Sequence, residues 1–296
     1  MTTTAPTGTY VCRYCRLPSD ASAVSCPSCG APVNVRDRVS DSGWEEQPPI
    51  KDLARIQLGQ STCQIEGRYV PVSDFALAAD DWVYFSHHVL LWTEPSVTLG
   101  AMPMKGAWNR MYAGMPLVMM QATGPGHVAL SADHAGETVA IPLSHGQQID
   151  VREHRFLVAT GNVTYDWYQS GVWITTSSGD DSETHYPLGM YIDRFRADGG
   201  PGLLLLHAPG NTFVRDLAYG QTICIQPSSL LYQDPTVGMQ LHLEYPGGAS
   251  GWGRYTTRTV WLRMWGPGRV AIQSVFERPE TAQSITSHSP ASEQRW

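Results

Sequence analysis

Three twenty-residue stretches of this chain lie over one another without a gap: Asp80 to Leu99, Gly146 to Tyr165 and Gly220 to Met239. The matching apolar positions are Val83/Ile149/Ile223, Phe85/Val151/Ile225, Leu90/Phe156/Leu230, Leu91/Leu157/Leu231 and Val97/Val163/Val237. The first two positions stand two residues apart, which is the pattern of a strand with one face inward. The next two are consecutive, as in a short strand covered on both faces. After a variable insertion each stretch is followed by a Gly-Pro-Gly trio, at Gly124 to Gly126, Gly200 to Gly202 and Gly266 to Gly268. Proline holds φ near −65° and glycine accepts positive φ, so each trio is a compact corner between strands. The first two units also share an exit, Gly136-x-x-Val139-x-x-x-Leu143-x-x-Gly146-Gln147 and Gly210-x-x-Phe213-x-x-x-Leu217-x-x-Gly220-Gln221. Self-similarity of this kind predicts one supersecondary unit built three times. Units of roughly 70 residues are marginal alone and should bury area against each other.

Composition agrees with strands. The chain holds 28 Gly and 21 Pro, no stretch keeps a 3.6-residue apolar period long enough for a helix, and Val, Thr, Tyr and Trp recur throughout. The alternation of Val237, Met239, Leu241, Leu243 and Tyr245 predicts one further strand. The fold class expected is all-β, with three tandem β-sandwich units.

Four of the six cysteines form two C-x-x-C pairs, Cys12/Cys15 and Cys26/Cys29, separated by ten residues. Two such knuckles converge four thiolates on one tetrahedral metal, so a small zinc ribbon with structural Zn2+ is expected over residues 1–33. Gly30 follows the second pair, where a knuckle calls for positive φ. Four thiolates leave no open coordination position, so this zinc is not expected to be catalytic. A linker is expected over 34–51, the three-unit body over 52–278 (about 52–143, 144–217 and 218–278), and a disordered tail over 279–296, where apolar residues nearly vanish.

Net charge is −7 and the lysines are Lys51 and Lys105 alone. A general nucleic-acid surface needs clustered cations, so none is expected; Arg13 and Arg16 of the ribbon offer the one modest alternative. Residues Met1 to Val11 show neither the basic nor the apolar segment of a secretory leader, and no apolar run reaches membrane-spanning length. A cytoplasmic protein is the expectation.

The chain resembles the altered inheritance of mitochondria protein 24 family. The resemblance is carried by Gly124-Pro125-Gly126-His127-Val128-Ala129-Leu130-Ser131, by the Gly-Gln starts at Gly146 and Gly220, by Phe156-Leu157-Val158-Ala159 and by Gly266-Pro267-Gly268-Arg269-Val270, over roughly Leu53 to Glu277. It implies units like the subunit of the tryptophan RNA-binding attenuation protein (TRAP-like), a short double-stranded β-helix. It further implies a homotrimer with nine units in a closed ring, no enzyme activity, and a scaffolding role with peripheral membrane association. Asp80-Asp81 departs from the Gly-Gln start, and the second unit carries a polar insertion, Thr175 to Tyr186.

A cupin-like metal enzyme needs a His-x-His pair with a carboxylate. His87 and His88 are adjacent and on a strand would face opposite ways. Gly248-Ala249-Ser250-Gly251-Trp252 lacks the second glycine of a nucleophile elbow. Cys63 and Cys224 read as structural thiols, and the ten Trp as core or interface aromatics. The expectation is a non-enzymatic, self-assembling scaffold or adaptor that docks an unidentified protein partner, with a cupin-like enzyme or a ribbon-borne nucleic-acid binder as alternatives.

Overall fold

The structure, a computed structural model, describes residues 9–11, 17–20, 25–28, 30, 44–46, 55–102, 119–178, 181–244, 259–276 and 284–288. All regular structure there is antiparallel sheet, apart from short 3-10 turns at His87–Val89 and Pro227–Ser229. The His87/His88 pair therefore sits on a turn and not on a strand. Among the described residues no helix is long and apolar enough to cross a membrane.

Eighteen strands fall into three consecutive sets of six. The first set is β1 (Val72–Leu77), β2 (Trp82–Ser86), β3 (Leu90–Thr93), β4 (Thr98–Met102), β5 (Met119–Thr123) and β6 (Gly126–Ser131). The second is β7 (Glu137–Leu143), β8 (Gln148–Arg152), β9 (Phe156–Thr160), β10 (Val163–Gln169), β11 (Tyr191–Ala197) and β12 (Gly202–Ala208). The third is β13 (Thr212–Leu217), β14 (Thr222–Ile225), β15 (Leu230–Gln233), β16 (Gly238–Glu244), β17 (Thr259–Trp265) and β18 (Gly268–Gln273).

One pairing scheme serves all three sets. The fifth strand of each pairs with the second and the fourth: β5 with β2 and β4, β11 with β8 and β10, β17 with β14 and β16. The sixth pairs with the first and the third: β6 with β1 and β3, β12 with β7 and β9, β18 with β13 and β15. The third strand carries the same irregularity each time. The ladder skips Leu91, Leu157 and Leu231 at the same step.

Strand β7 pairs along its length with β12, so residues 137–143 open the second set. The sequence had left them at the end of the first unit, because the shared exit was legible and its hydrogen-bond partner, some sixty residues on, was not. The same shift moves 212–217 into the third set.

Conserved offsets become repeated contacts. The Gln147 side-chain carbonyl accepts the Ser144 amide at 3.1 Å, and that of Gln221 accepts the Ala218 amide at 3.0 Å. Beyond the corners, Glu94 accepts the His127 amide, Thr160 the Leu203 amide and Asp234 the Arg269 amide. Asp80 takes φ of 67°, where Gly146 and Gly220 stand at 81° and 77°. The second corner differs from the others: Gly124–Pro125 and Gly266–Pro267 are cis, Gly200–Pro201 is not.

The sets join edge to edge. Strand β2 pairs with β9 of the next set, and β8 pairs with β15. This yields a six-stranded sheet β4-β5-β2-β9-β12-β7 and a seven-stranded sheet β10-β11-β8-β15-β18-β13, the latter edged by Glu45–Glu46. Two half-sheets remain. One is β1-β6-β3, extended beyond β1 by strands Ser61–Glu66 and Arg55–Leu58; the other is β14-β17-β16. The four layers enclose three apolar cores, one between each successive pair.

Both flanking segments take more structure than expected. Within the expected linker, Glu45–Glu46 pairs with Phe213 and Val214 while Trp44 packs on the third core. Within the expected disordered tail, Ser284–His288 pairs with Trp173–Ser177 of the second set's insertion, itself a hairpin with Asp181–His185. Short, β-branched Ser-Ile-Thr-Ser can extend an edge despite its polarity.

Candidate assembly interface

Within the complete sheets the third strand of a set has two neighbours. Strand β9 lies between β12 and β2, and β15 between β18 and β8. Among the described residues, strand β3 has β6 on one side and no strand on the other, and β14 has β17 alone. These two edges are the halves of the junction that the chain makes twice internally.

Burial measures what the missing neighbour does. Leu157 and Leu231 are 1% and 0% exposed, whereas Leu91 at the same bulge is 56% exposed. Next to it Val158 and Tyr232 are buried, and Trp92 is 45% exposed. On the other edge Tyr84 and Asp150 are buried, while the matching Cys224 is exposed on the face of the last half-sheet that points away from the third core. Covering a Leu and a Trp stabilises by about 1.5–3 kcal/mol each, so bare edges of this kind mark an interaction surface.

The internal junctions also show how charge is handled at such an edge. Asp150 of β8 is buried and accepts two hydrogen bonds from Arg194, from Nε at 2.7 Å and Nη2 at 2.9 Å, plus one from the Tyr168 hydroxyl at 3.0 Å. Asp150 holds the guanidinium of Arg194 above its usual range, and burial followed by the Asp150 charge pushes Tyr168 well up. The Tyr84 hydroxyl instead donates to Val163 O at 2.9 Å, tying the second sheet to the third. Strand β14 carries neither device, only a thiol.

Of the four cysteines expected to ligate zinc, Cys26 is described and buried; Cys12, Cys15 and Cys29 lie outside the described residues. The Gly30 amide bonds Cys26 O at 2.8 Å and Gly30 has φ of 69°, the closed turn and left-handed glycine that a thiolate knuckle uses. Thr9–Val11 and Pro18–Asp20 form a two-stranded ladder flanking the first pair. Among the described residues no group of three or more His, Cys, Asp or Glu side chains is gathered to hold a metal. A groove of about 780 Å3 opens beside the second corner, with Asp80, Asp81, Trp82, Leu143 and Asn162 in its wall.

Cys63 is buried, as expected of a structural thiol, and burial followed by the Asp74 charge pushes it far up. The exposure of Cys224 runs against that reading. The exposed edge residues Leu91, Trp92 and Cys224 were not legible in the sequence, because each aligns with a buried counterpart. The sole signal was Trp92 standing where the others carry Val158 and Tyr232.

A family model described as mitochondrial biogenesis AIM24 matches residues 63–275. The chain belongs to the AIM24 family. The match takes in all three sets of strands from Val72 to Gln273, and it leaves the cysteine pairs outside. The AIM24 chain is also similar to protein SPYM3_0169 from Streptococcus pyogenes, known from its crystal structure, at 20% identity and a TM-score of 0.54. That likeness covers 73% of this chain and 94% of the other, and it speaks for the fold. None of the curated proteins matches this AIM24 chain.

Proposed function

We propose that this AIM24-family protein is a non-enzymatic, self-assembling scaffold or adaptor in which three TRAP-like β-sandwich units per chain close with two further copies into a homotrimeric ring. The observation that carries the reading is the pair of half-sheets. Among the described residues, strand β3 lacks the neighbour that β9 and β15 have, and β14 lacks the neighbour that β2 and β8 have. A head-to-tail contact between copies satisfies both at once, and such heterologous contacts close into rings when the rotation allows.

In this reading Cys12, Cys15, Cys26 and Cys29 hold one structural Zn2+, which supplies folding energy to a ribbon too small to fold unaided. The closed Cys26–Gly30 turn supports that ligand set. The ribbon then docks an unidentified protein partner, and the short strand at Glu45–Glu46 fixes where its tether leaves the body. The family description, mitochondrial biogenesis, is compatible with organising larger complexes, in the cytoplasm and at a membrane periphery.

Native mass spectrometry of the freshly purified chain tests both parts. Three chains with one zinc each is the expected result. A monomer at micromolar concentration overturns the assembly, and Cys26→Ser protein that retains its zinc overturns the ligand set.

A further inference from the structure

The third core is the least complete of the three. The first core receives Leu157 and Val158 from β9 beside β2, and the second receives Leu231 and Tyr232 from β15 beside β8. In the third core, β14 supplies Ile225 with Ile223 packed on it, and among the described residues no further strand stands beside β14 to add the corresponding pair. The corresponding pair exists elsewhere on the chain. It is Leu91 and Trp92, both exposed on the free edge of β3.

We infer that Leu91 and Trp92 of a second copy complete the third core, with β3 of that copy pairing antiparallel to β14 in one defined register. The inference rests on the self-assembly proposed above and names the contact that produces it. The register follows from the internal junctions, which agree with each other. Phe85 faces Val158, Tyr84 faces Ala159 and Val83 faces Thr160; Val151 faces Tyr232 and Asp150 faces Gln233. Carried to the third junction, the scheme sets Ile225 against Trp92, Cys224 against Thr93 and Ile223 against Glu94 of the second copy. The equivalences do not depend on sequence alignment. Within their own sets Thr93, Ala159 and Gln233 sit opposite Val128, Leu204 and Val270 at one and the same step of the ladder.

The occupant has to be this chain because the edge needs a strand with a bulge at its second residue and two large apolar side chains there. The described strands that meet this are β3, β9 and β15, and the last two are already paired. The three junctions also differ in chemistry. Residues facing one another in the middle are Tyr84 with Ala159, Asp150 with Gln233, and Cys224 with Thr93.

Cross-linking through the native thiol tests the register. Residues directly opposite on antiparallel strands bring their Cβ atoms to about 4.5–5.5 Å, so Thr93→Cys should join to Cys224 of the next copy. Under mild oxidant or with a short bismaleimide, Thr93→Cys protein should give covalent dimers and trimers in denaturing gels. The Thr93→Cys, Cys224→Ser protein should give none. Trp92→Asp, at a position half-exposed in the single chain, should yield a folded monomer with unchanged circular dichroism. A trimer that resists Trp92→Asp, or that shows no Thr93→Cys cross-link with either reagent, overturns this register while leaving the assembly intact. A wild-type monomer overturns both.

Discussion

Ser61 stands between the Ala78 amide and Asp81: its hydroxyl accepts the amide at 2.8 Å and donates to Asp81 Oδ2 at 2.5 Å. In the second and third sets a single glutamine closes the same turn, Gln147 onto Ser144 and Gln221 onto Ala218. Asp81 occupies the glutamine position with a side chain one methylene shorter. The strand preceding β1, which the other sets lack, supplies a serine to bridge the gap.

Ser61→Ala therefore strands a backbone donor, and the expected loss is about 1–2 kcal/mol. Adding Asp81→Gln restores the direct closure and should recover most of that loss. Urea denaturation of the two variants at fixed chain concentration decides it. A double variant no more stable than Ser61→Ala would mean that the turn is not closed by this route.

Asp80 adopts a left-handed conformation that glycine takes without strain. Asp80→Gly should raise stability by about 0.5 kcal/mol, and Gly146→Ala and Gly220→Ala should each lower it by about 1 kcal/mol. Opposite signs at equivalent positions, read as shifts of the denaturation midpoint, are the result to look for.

Asp150 binds Arg194 through two atoms and Tyr168 through a third, under cover of the second junction. Asp150→Asn keeps the shape and removes the charge. A guanidinium about one-third exposed then loses its counter-ion, and the expected cost is about 2–3 kcal/mol. Arg194→Met in that background should return part of it, since an apolar neighbour needs no counter-ion. If the two losses simply add, the pair is not coupled.

His207 is 4% exposed, and neither ring nitrogen has a hydrogen-bond partner. Burial, followed by the nearby His134 and Arg155 charges, lowers it from 6.5 to about 4, against a smaller opposite pull from Asp133. The unfolded chain thus binds a proton that the folded chain does not between pH 6.5 and about 4, and stability falls as pH drops through that window. The full effect is no more than about 3 kcal/mol. His207→Leu should flatten the curve between those limits and leave it unchanged above pH 7. Parallel curves for the two proteins would show that another group sets the acid limb.

Deleting 279–296 removes the strand that edges the second set's insertion. Limited proteolysis should then cut the 173–185 hairpin several-fold faster, with the thermal midpoint of the body moved little. Unchanged cleavage would mean that the tail does not guard that edge.

Strand class, corner positions and most of the core were legible in the sequence. Val83, Ile149, Phe85 and Val151 are all buried, and the left-handed turn after the second cysteine pair fell at Gly30 as expected. Pairing was not legible, because which strand lies beside β2 is a non-local fact. The repeat suggested three sandwiches that bury area against each other, and it did not show that each set lends an edge to the next. The same reason hid the exposed edges. Leu91, Leu157 and Leu231 are one residue type in one local setting, and their neighbours alone separate them. The tryptophans were undecidable by type, and none of those described is fully buried. Polar composition misled at the tail, where a hydrogen-bonding edge was available.

Strand order has a consequence during synthesis. β2 leaves the ribosome about 70 residues before β9, which at about 5–20 residues per second is a wait of several seconds with its edge bare. The second set repeats the delay with β8 and β15. For β14 the wait does not end among the described residues, so in the proposed assembly a newly made molecule is held in the same condition as its own nascent intermediates. Its concentration, rather than its length, then decides how long that lasts.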